Sequence, residues 1–199
     1  MNKEALSEHL ASDQLNDAIA RLICDSEVTS EKKRYCDLLN KANELYSDGD
    51  YHIVSAPGRT EVGGNHTDHN KGCVVAASVN LDSVALVKVN NTKIVNFKSE
   101  GFDILPVDLS DLSVQSNEVN KTESLIRGIA ARFVQLGYRI GGFDAVSNSK
   151  VLPGSGISSS ASFEVLVGEI FNHLFNDGKI NPIEIAQISQ YAENEYFGK

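Results

Sequence analysis

Apolar positions recur at helical spacing through the first fifty residues: Leu6, Leu10, Leu15, Ala18, Ile19 and Leu22 across residues 4–23, then Tyr35, Leu38, Leu39, Ala42 and Leu45 across residues 30–46. This spacing predicts two amphipathic helices. After Ser47-Asp48-Gly49-Asp50 the texture changes to short, valine-rich runs. Residues 51–55 read as a strand that gives way to a loop at Pro57-Gly58, and residues 73–81 and 83–89 read as two further strands. Asn90-Asn91-Thr92 supplies hairpin chemistry before the strand pattern returns over residues 93–97, so an antiparallel ribbon is expected. Residues 102–120 lack periodicity and read as irregular connection.

From Lys121 the pattern is helical again, with Leu125, Ile126, Ile129, Ala130, Phe133 and Leu136 on one face and Gly137 as the stop. A strand over residues 143–147 follows, then a glycine- and serine-rich stretch. The next helix has Val165, Leu166, Ile170, Phe171 and Leu174 inward and ends at Asn176-Asp177-Gly178. A last helix starts with Asn181 as N-cap, Pro182 in the first turn and Glu184 placed for a reciprocal capping bond, and runs to about Tyr196. Antiparallel strands with separate helices and no internal repeat predict an α+β fold. The division expected is an N-terminal helical extension over residues 1–48 and one domain over residues 49–199.

Composition narrows the class. With 41% hydrophobic and 23% charged residues the 199-residue chain is neither disordered nor low-complexity. Lys and Arg number 18 against 27 Asp and Glu, a net charge of −9, so no broad basic surface for nucleic acid or an anionic membrane is expected. Much of the acidity lies in the leader, whose charged residues read as a solvated outer helical face. Cys24, Cys36 and Cys73 form no C-x-x-C pair, which fits a reducing compartment. The charged N-terminus lacks the apolar core of a signal peptide, and the expectation is a cytoplasmic protein.

Two segments carry candidate chemistry. Residues 57–72, between two strands, include Gly58, Gly63, Gly64 and Gly72 and a dense set of donors and acceptors. Such loops need special backbone angles or close ligand approach. Asn65, His66 and Asp68 suit a polyhydroxy ligand, and Arg59 suits developing anionic charge. A hydrophilic surface turn is the alternative, and His66, Asp68 and His69 also admit a metal, although no further ligand has matching spacing. The second segment, residues 152–162, lies between a strand and a helix. Its glycines let the backbone approach an anion, and the helix N-terminus adds a favourable dipole. No Gly-Lys-Ser/Thr follows, so it is not a Walker A loop; a serine-rich helix cap is the alternative.

In this order and separation, the two segments resemble the first and second motifs of the galacto-, homoserine, mevalonate and phosphomevalonate (GHMP) kinases, nearest to the galactokinases. The first is similar to the sugar-binding signature through Gly58-Arg59, Gly64-Asn65-His66-Thr67-Asp68 and Asn70-Lys71-Gly72; the second is similar to the phosphate loop through Gly154-Ser155-Gly156-Ile157-Ser158-Ser159-Ser160-Ala161-Ser162. The resemblance runs through Ala192-Glu193-Asn194. It implies a ribosomal-protein-S5-domain-2-like GHMP kinase N-terminal domain, with ATP and Mg²⁺ as cofactors and ATP-dependent phosphorylation of galactose or a related hexose at its anomeric hydroxyl. In that reading Asn65, His66, Thr67 and Asp68 hold the sugar, and Gly154, Ser155, Gly156, Ile157, Ser158, Ser159 and Ser160 wrap the ATP phosphates. Ser160 and Glu193 bind Mg²⁺, and Arg59 is the catalytic residue beside the transferring group. Relatives that sense sugar and nucleotide without turnover imply a second function class.

The chain departs from the family pattern at Asn65, where glutamate is usual, and at Glu61, where asparagine is usual, which widens the expected substrate from galactose to hexose. Thr122 and Leu125 stand where the family commonly places aromatics against adenine. The catalytic aspartate segment and the C-terminal domain that the resemblance implies do not occur before Lys199. The expectation is an N-terminal portion without turnover, self-associating through an exposed domain-junction surface.

Overall fold

Seven consecutive residues, from Asp82 to Lys88, are buried in one strand, and this run dictates the layout. A strand covers its two faces alternately, so burial at every position requires a neighbour on each edge and a layer on each face. The computed structural model describes residues 1–23, 27–64 and 72–198. Among these, strands β1 (His52–Gly63), β2 (Val75–Val89), β3 (Ile94–Ser99), β4 (Val107–Asp108) and β5 (Phe143–Ser149) form one sheet in the order β1-β2-β5-β3-β4. Helices α1 (Lys3–Ala11), α2 (Asn16–Leu22) and α3 (Val28–Leu45) precede the sheet. Helices α4 (Thr122–Gln135), α5 (Ser159–Phe175) and α6 (Pro182–Ala192) follow the first four strands, with a π-helical turn at Glu193–Phe197. The α+β class holds.

The expected ribbon does not form. β5 pairs antiparallel with β2 and parallel with β3, and so inserts between them. Asn90 makes the local bonds of a turn, its Oδ1 accepting from Thr92 N at 3.1 Å. However, Asn90 N donates to Gly142 O and Gly142 N to Thr92 O, so the turn closes on the start of β5. A Cβ at Gly142 would lie 2.6 Å from Ile94 O; only glycine fits there. The unbroken Val84-Ala85-Leu86-Val87 run was the sign of a central strand, which a two-stranded ribbon cannot bury.

β1 also extends beyond the expected Pro57-Gly58 stop, carrying Arg59, Thr60 and Glu61 in strand pairing with β2 after a register shift between Pro57 and Arg59. Proline is tolerated because β1 is a sheet edge. The predicted strands over 73–81 and 83–89 are one strand, β2. The predicted helix over 4–23 is two, because Ser12 ends α1.

The sheet separates two cores. Ala85, Val87, Val95, Phe97, Phe143 and Ala145 face Ile126, Ile129, Phe133, Leu166, Ile170, Phe171, Ile185 and Ile188 of α4–α6. Val84, Leu86 and Val146 face Leu6, Leu10, Ile19, Tyr35, Leu38, Leu39 and Ala42 of α1–α3. The leader therefore buries a face of the sheet, and its charges are not uniformly solvated: Glu31 is 0% exposed. On the other layer Glu184 accepts from the Tyr138 hydroxyl at 2.8 Å. That tyrosine is the partner the structure shows in place of the expected capping bond, while Asn181 caps Ile183 N as expected. Arg127 pins the irregular connection to α4, pairing bidentately with Glu118 and donating to Asp108 O.

Candidate functional site

The loop at residues 152–158 leads from β5 into α5, and its backbone is set by three left-handed residues: Gly154 at φ +76°, Gly156 at φ +79° and Ser158 at φ 60°, ψ 63°. The φ values explain the two glycines, since a Cβ on either would meet nothing within 4 Å. Ser158, the N-cap of α5, adopts this costly conformation with no side chain capping the helix. A serine hydroxyl normally satisfies one of the first-turn amides; here those amides are left to an incoming acceptor, and the helix dipole favours an anion. Gly154, Ser155 and Gly156 are exposed, and Ile157, Ser158, Ser159 and Ser160 are partly exposed.

The first motif reaches this loop through β1. Arg59 N donates to Ile157 O at 3.1 Å, and Arg59 Nε donates to Ser158 Oγ at 3.2 Å. The preceding Gly58 permits the approach: a Cβ there would lie 3.0 Å from Ile157 O and 3.1 Å from Val151 Cγ2. Behind the loop a polar seam ties its ends to the sheet. Ser162 Oγ donates to Ala56 O at 2.9 Å and contacts Ser83 Oγ, while Ser83 Oγ lies 2.8 Å from Ser149 Oγ. Lys150 N donates to Asp82 O, and Ser55 Oγ donates to Asp82 Oδ2. Together these bonds place the arginine against the glycine- and serine-rich loop.

Asn65, His66, Thr67 and Asp68, the residues expected to hold the sugar, lie outside the described residues, as does His69 of the metal alternative. The described flanks are Gly64, at φ +133° and pressed against Val74, and Gly72. Glu193 stands at the junction of α6 with the π-helical turn and Ser160 in the first turn of α5. Among the described residues no group of three His, Cys, Asp or Glu side chains converges to hold a metal. A hydroxyl and one carboxylate nonetheless suit Mg²⁺, which is commonly held by one or two protein oxygens together with phosphates and water. Leu125 is buried in the core at 4% exposure, so it offers no face to a nucleobase; Thr122 is partly exposed. Cys36 and Cys73 are free thiols. Among the described residues no helix is long and apolar enough to cross a membrane.

Residues 43–89 match the model of the galactokinase galactose-binding signature and residues 124–199 that of the GHMP kinases N terminal domain. The chain belongs to the galactokinase branch of the GHMP kinases, as an N-terminal portion. The galactokinase of Lactococcus lactis is 33% identical over 164 residues, spanning 81% of this chain and 41% of that protein. That of Clostridium tetani is 30% identical over 156 residues, spanning 78% and 39%. The crystal structure of the Lactococcus lactis galactokinase complexed with galactose superposes at a TM-score of 0.75, with 29% identity over 83% of this chain and 43% of that one. The mevalonate kinase of Methanococcus jannaschii, at 19% identity and a TM-score of 0.60, shares the fold. The chain thus spans about two fifths of the length of the curated galactokinases it matches.

Within this galactokinase portion, neither sequence motif includes the Arg34 cluster. Arg34 donates to Glu31, Asp82 and Asn148, joining α3 to the strand ends from which the anion loop departs. Its place at helical spacing from Glu31, beside an apolar face, was the available signal.

Proposed function

We propose that the parent protein transfers the γ-phosphoryl group of ATP to the anomeric hydroxyl of galactose or a related hexose, and that this chain supplies the sugar- and phosphate-binding half of that site. The observation that carries the reading is the contact of Arg59 with residues 157 and 158, which joins the galactose-binding signature to an anion loop at an uncapped helix N-terminus. Phosphoryl transfer rests mainly on positioning and on neutralising charge at the phosphate oxygens. The loop amides of residues 154–160 hold the phosphates, and Arg59, always protonated, stabilises the charge on the transferring group. Ser160 and Glu193 hold Mg²⁺, which when bound neutralises phosphate charge. Asn65, His66, Thr67 and Asp68 orient the hexose. The exposure of Val62, Val75 and Leu152, at 67%, 65% and 62%, supports self-association of this chain through an apolar face.

Calorimetric titration with MgATP tests the loop. The Gly156→Val variant should fold as the parent does, since its side chain enters open space, but lose MgATP binding. A β-branched residue costs about 1–2 kcal/mol in the left-handed region and fills the anion's space. Equal binding by both forms would move the phosphates elsewhere.

A further inference from the structure

Two bonds tie Arg59 to the turn before α5, and they restrain different parts of it. The backbone bond, from Arg59 N to Ile157 O at 3.1 Å, fixes where the residue sits on β1. It leaves the side-chain torsions unset, and because Arg59 is exposed its long side chain would otherwise sample many head positions. The second bond, from Arg59 Nε to Ser158 Oγ at 3.2 Å, acts on the head itself. A hydroxyl orients a guanidinium without neutralising it, as a carboxylate would. With Nε engaged, bidentate pairing with a phosphoryl group falls to the Nη1–Nη2 edge. The backbone of Ser158 points the same way. At φ 60° and ψ 63° it holds a left-handed conformation that glycine takes without penalty and side-chain-bearing residues do not. The other two left-handed positions of the loop, Gly154 and Gly156, are glycines. Serine at 158 adds a hydroxyl, and that hydroxyl does not cap α5; its partner is Arg59.

We propose that Ser158 is the positioning residue of Arg59: its hydroxyl presets the guanidinium in front of α5, so that the cation meets the phosphoryl group during transfer while the loop amides hold the phosphates. This inference rests on the kinase reading above. A cation already oriented when charge develops lowers the barrier more than one that must first be ordered. The hydroxyl of Ser158 acts only through Arg59, so its contribution disappears when Arg59 is replaced. It acts on the transition state rather than on the binding of either substrate, so its loss appears in kcat and not in KM.

The test is a double-mutant cycle in the longer parent, by steady-state kinetics with MgATP and galactose. Ser158→Gly keeps the left-handed backbone and removes the hydroxyl. It should lower kcat about ten- to a hundredfold and leave both KM values within about threefold. Ser158→Asn, which tolerates the left-handed region and carries an acceptor oxygen, should restore most of the lost rate. In an Arg59→Gln background, Ser158→Gly should cause no further loss. In the isotope-labelled 199-residue chain at mildly acidic pH, the Arg59 Nε–H resonance, identified by its absence from Arg59→Gln, should shift and exchange faster with water in Ser158→Gly. Parental kcat in Ser158→Gly, or an unchanged Nε–H resonance, would overturn the proposal. So would an equal loss with and without Arg59, which would mean that the hydroxyl acts on the phosphates directly. A parent that itself forms no hexose 1-phosphate would overturn the kinase reading, and this inference with it.

Discussion

Replacing Arg34 with methionine should cost far more stability than a helix-surface arginine would. Its side chain is 10% exposed and faces two carboxylates, Asp82 at 9% and Glu31 at 0%. Its Nε donates to Asn148 Oδ1 at 2.8 Å, and Nη1 serves Glu31 and Asp82. Nη2 serves the carbonyls of Asp82 at 3.1 Å and Asn148 at 2.8 Å. Methionine keeps much of the apolar stem but removes every donor. Glu31 retains Lys150 and Asp82 retains Ser55, yet both carboxylates lose the cation that lies between them. Removing one partner of a buried pair costs about 3–5 kcal/mol, against about 0–1 kcal/mol for an exposed pair. In a domain of this size each kcal/mol is about 2–4 °C, so the melting temperature should fall by roughly 6–20 °C. Urea denaturation of Arg34→Met, Asp82→Asn and the double variant should show the double losing clearly less than the sum of the singles, because the groups share one network. A loss below about 1 kcal/mol, or strict additivity, would show that α3 and the sheet are held by apolar packing alone.

Three further outcomes are expected. In the longer parent, Asp68→Ala should weaken hexose binding by about 1.5–3 kcal/mol and His69→Ala by less, since a charged acceptor is the costlier loss; calorimetry on both variants checks the order. The His52 imidazole titrates below its ordinary value through burial, His173 and the terminal ammonium, with Asp50 also facing it. The folded state therefore takes up its proton later than the unfolded chain. Its contribution is complete above the ordinary value of 6.5 and is lost as pH falls from there through the lowered value, so the parent should lose more stability than His52→Asn between about pH 7.5 and 5.5. Incubated with MgATP and galactose, this chain should give no hexose 1-phosphate by phosphorus NMR. In the proposed site Asp68 would hold the sugar and Glu193 the metal, and Arg59 cannot accept the hydroxyl proton.

The helices were legible because each buries one stripe. Ile126, Ile129, Ala130 and Phe133 in α4 and Leu166, Ile170 and Phe171 in α5 are all buried, as their spacing required, and Gly137 ends α4 at φ +84°. Strand order was less legible. Asn90-Asn91-Thr92 carries real turn chemistry, but turn residues describe only the local bend. Whether the returning chain pairs with β2 depends on β5, which arrives about fifty residues later and takes the edge of β2 that the local reading assigned to β3.

The same limit applies to the site. Glycines at residues 154 and 156 and a serine-rich helix start were enough to point to an anion loop, because the need for left-handed backbone and exposed amides is local. The join to Arg59 is not local: it spans 99 residues and depends on β1 continuing past Pro57, on the register shift at Gly58, and on a glycine at 58, where a Cβ would lie 3.0 Å from Ile157 O. Gly58 therefore acts through shape, where Gly154 and Gly156 act through φ, and the two kinds should separate experimentally. Gly58→Ala would push β1 off the loop and weaken any anion held between Arg59 and the helix, while leaving the φ values of the loop permitted. The charged residues of α3 read locally as a solvated helical face; only the sheet packed beneath them makes Glu31 and Arg34 a buried support for the strand ends that carry the loop. A residue's type announces what chemistry it can do, and the long-range pairing decides whether that chemistry faces water, the core or the substrate.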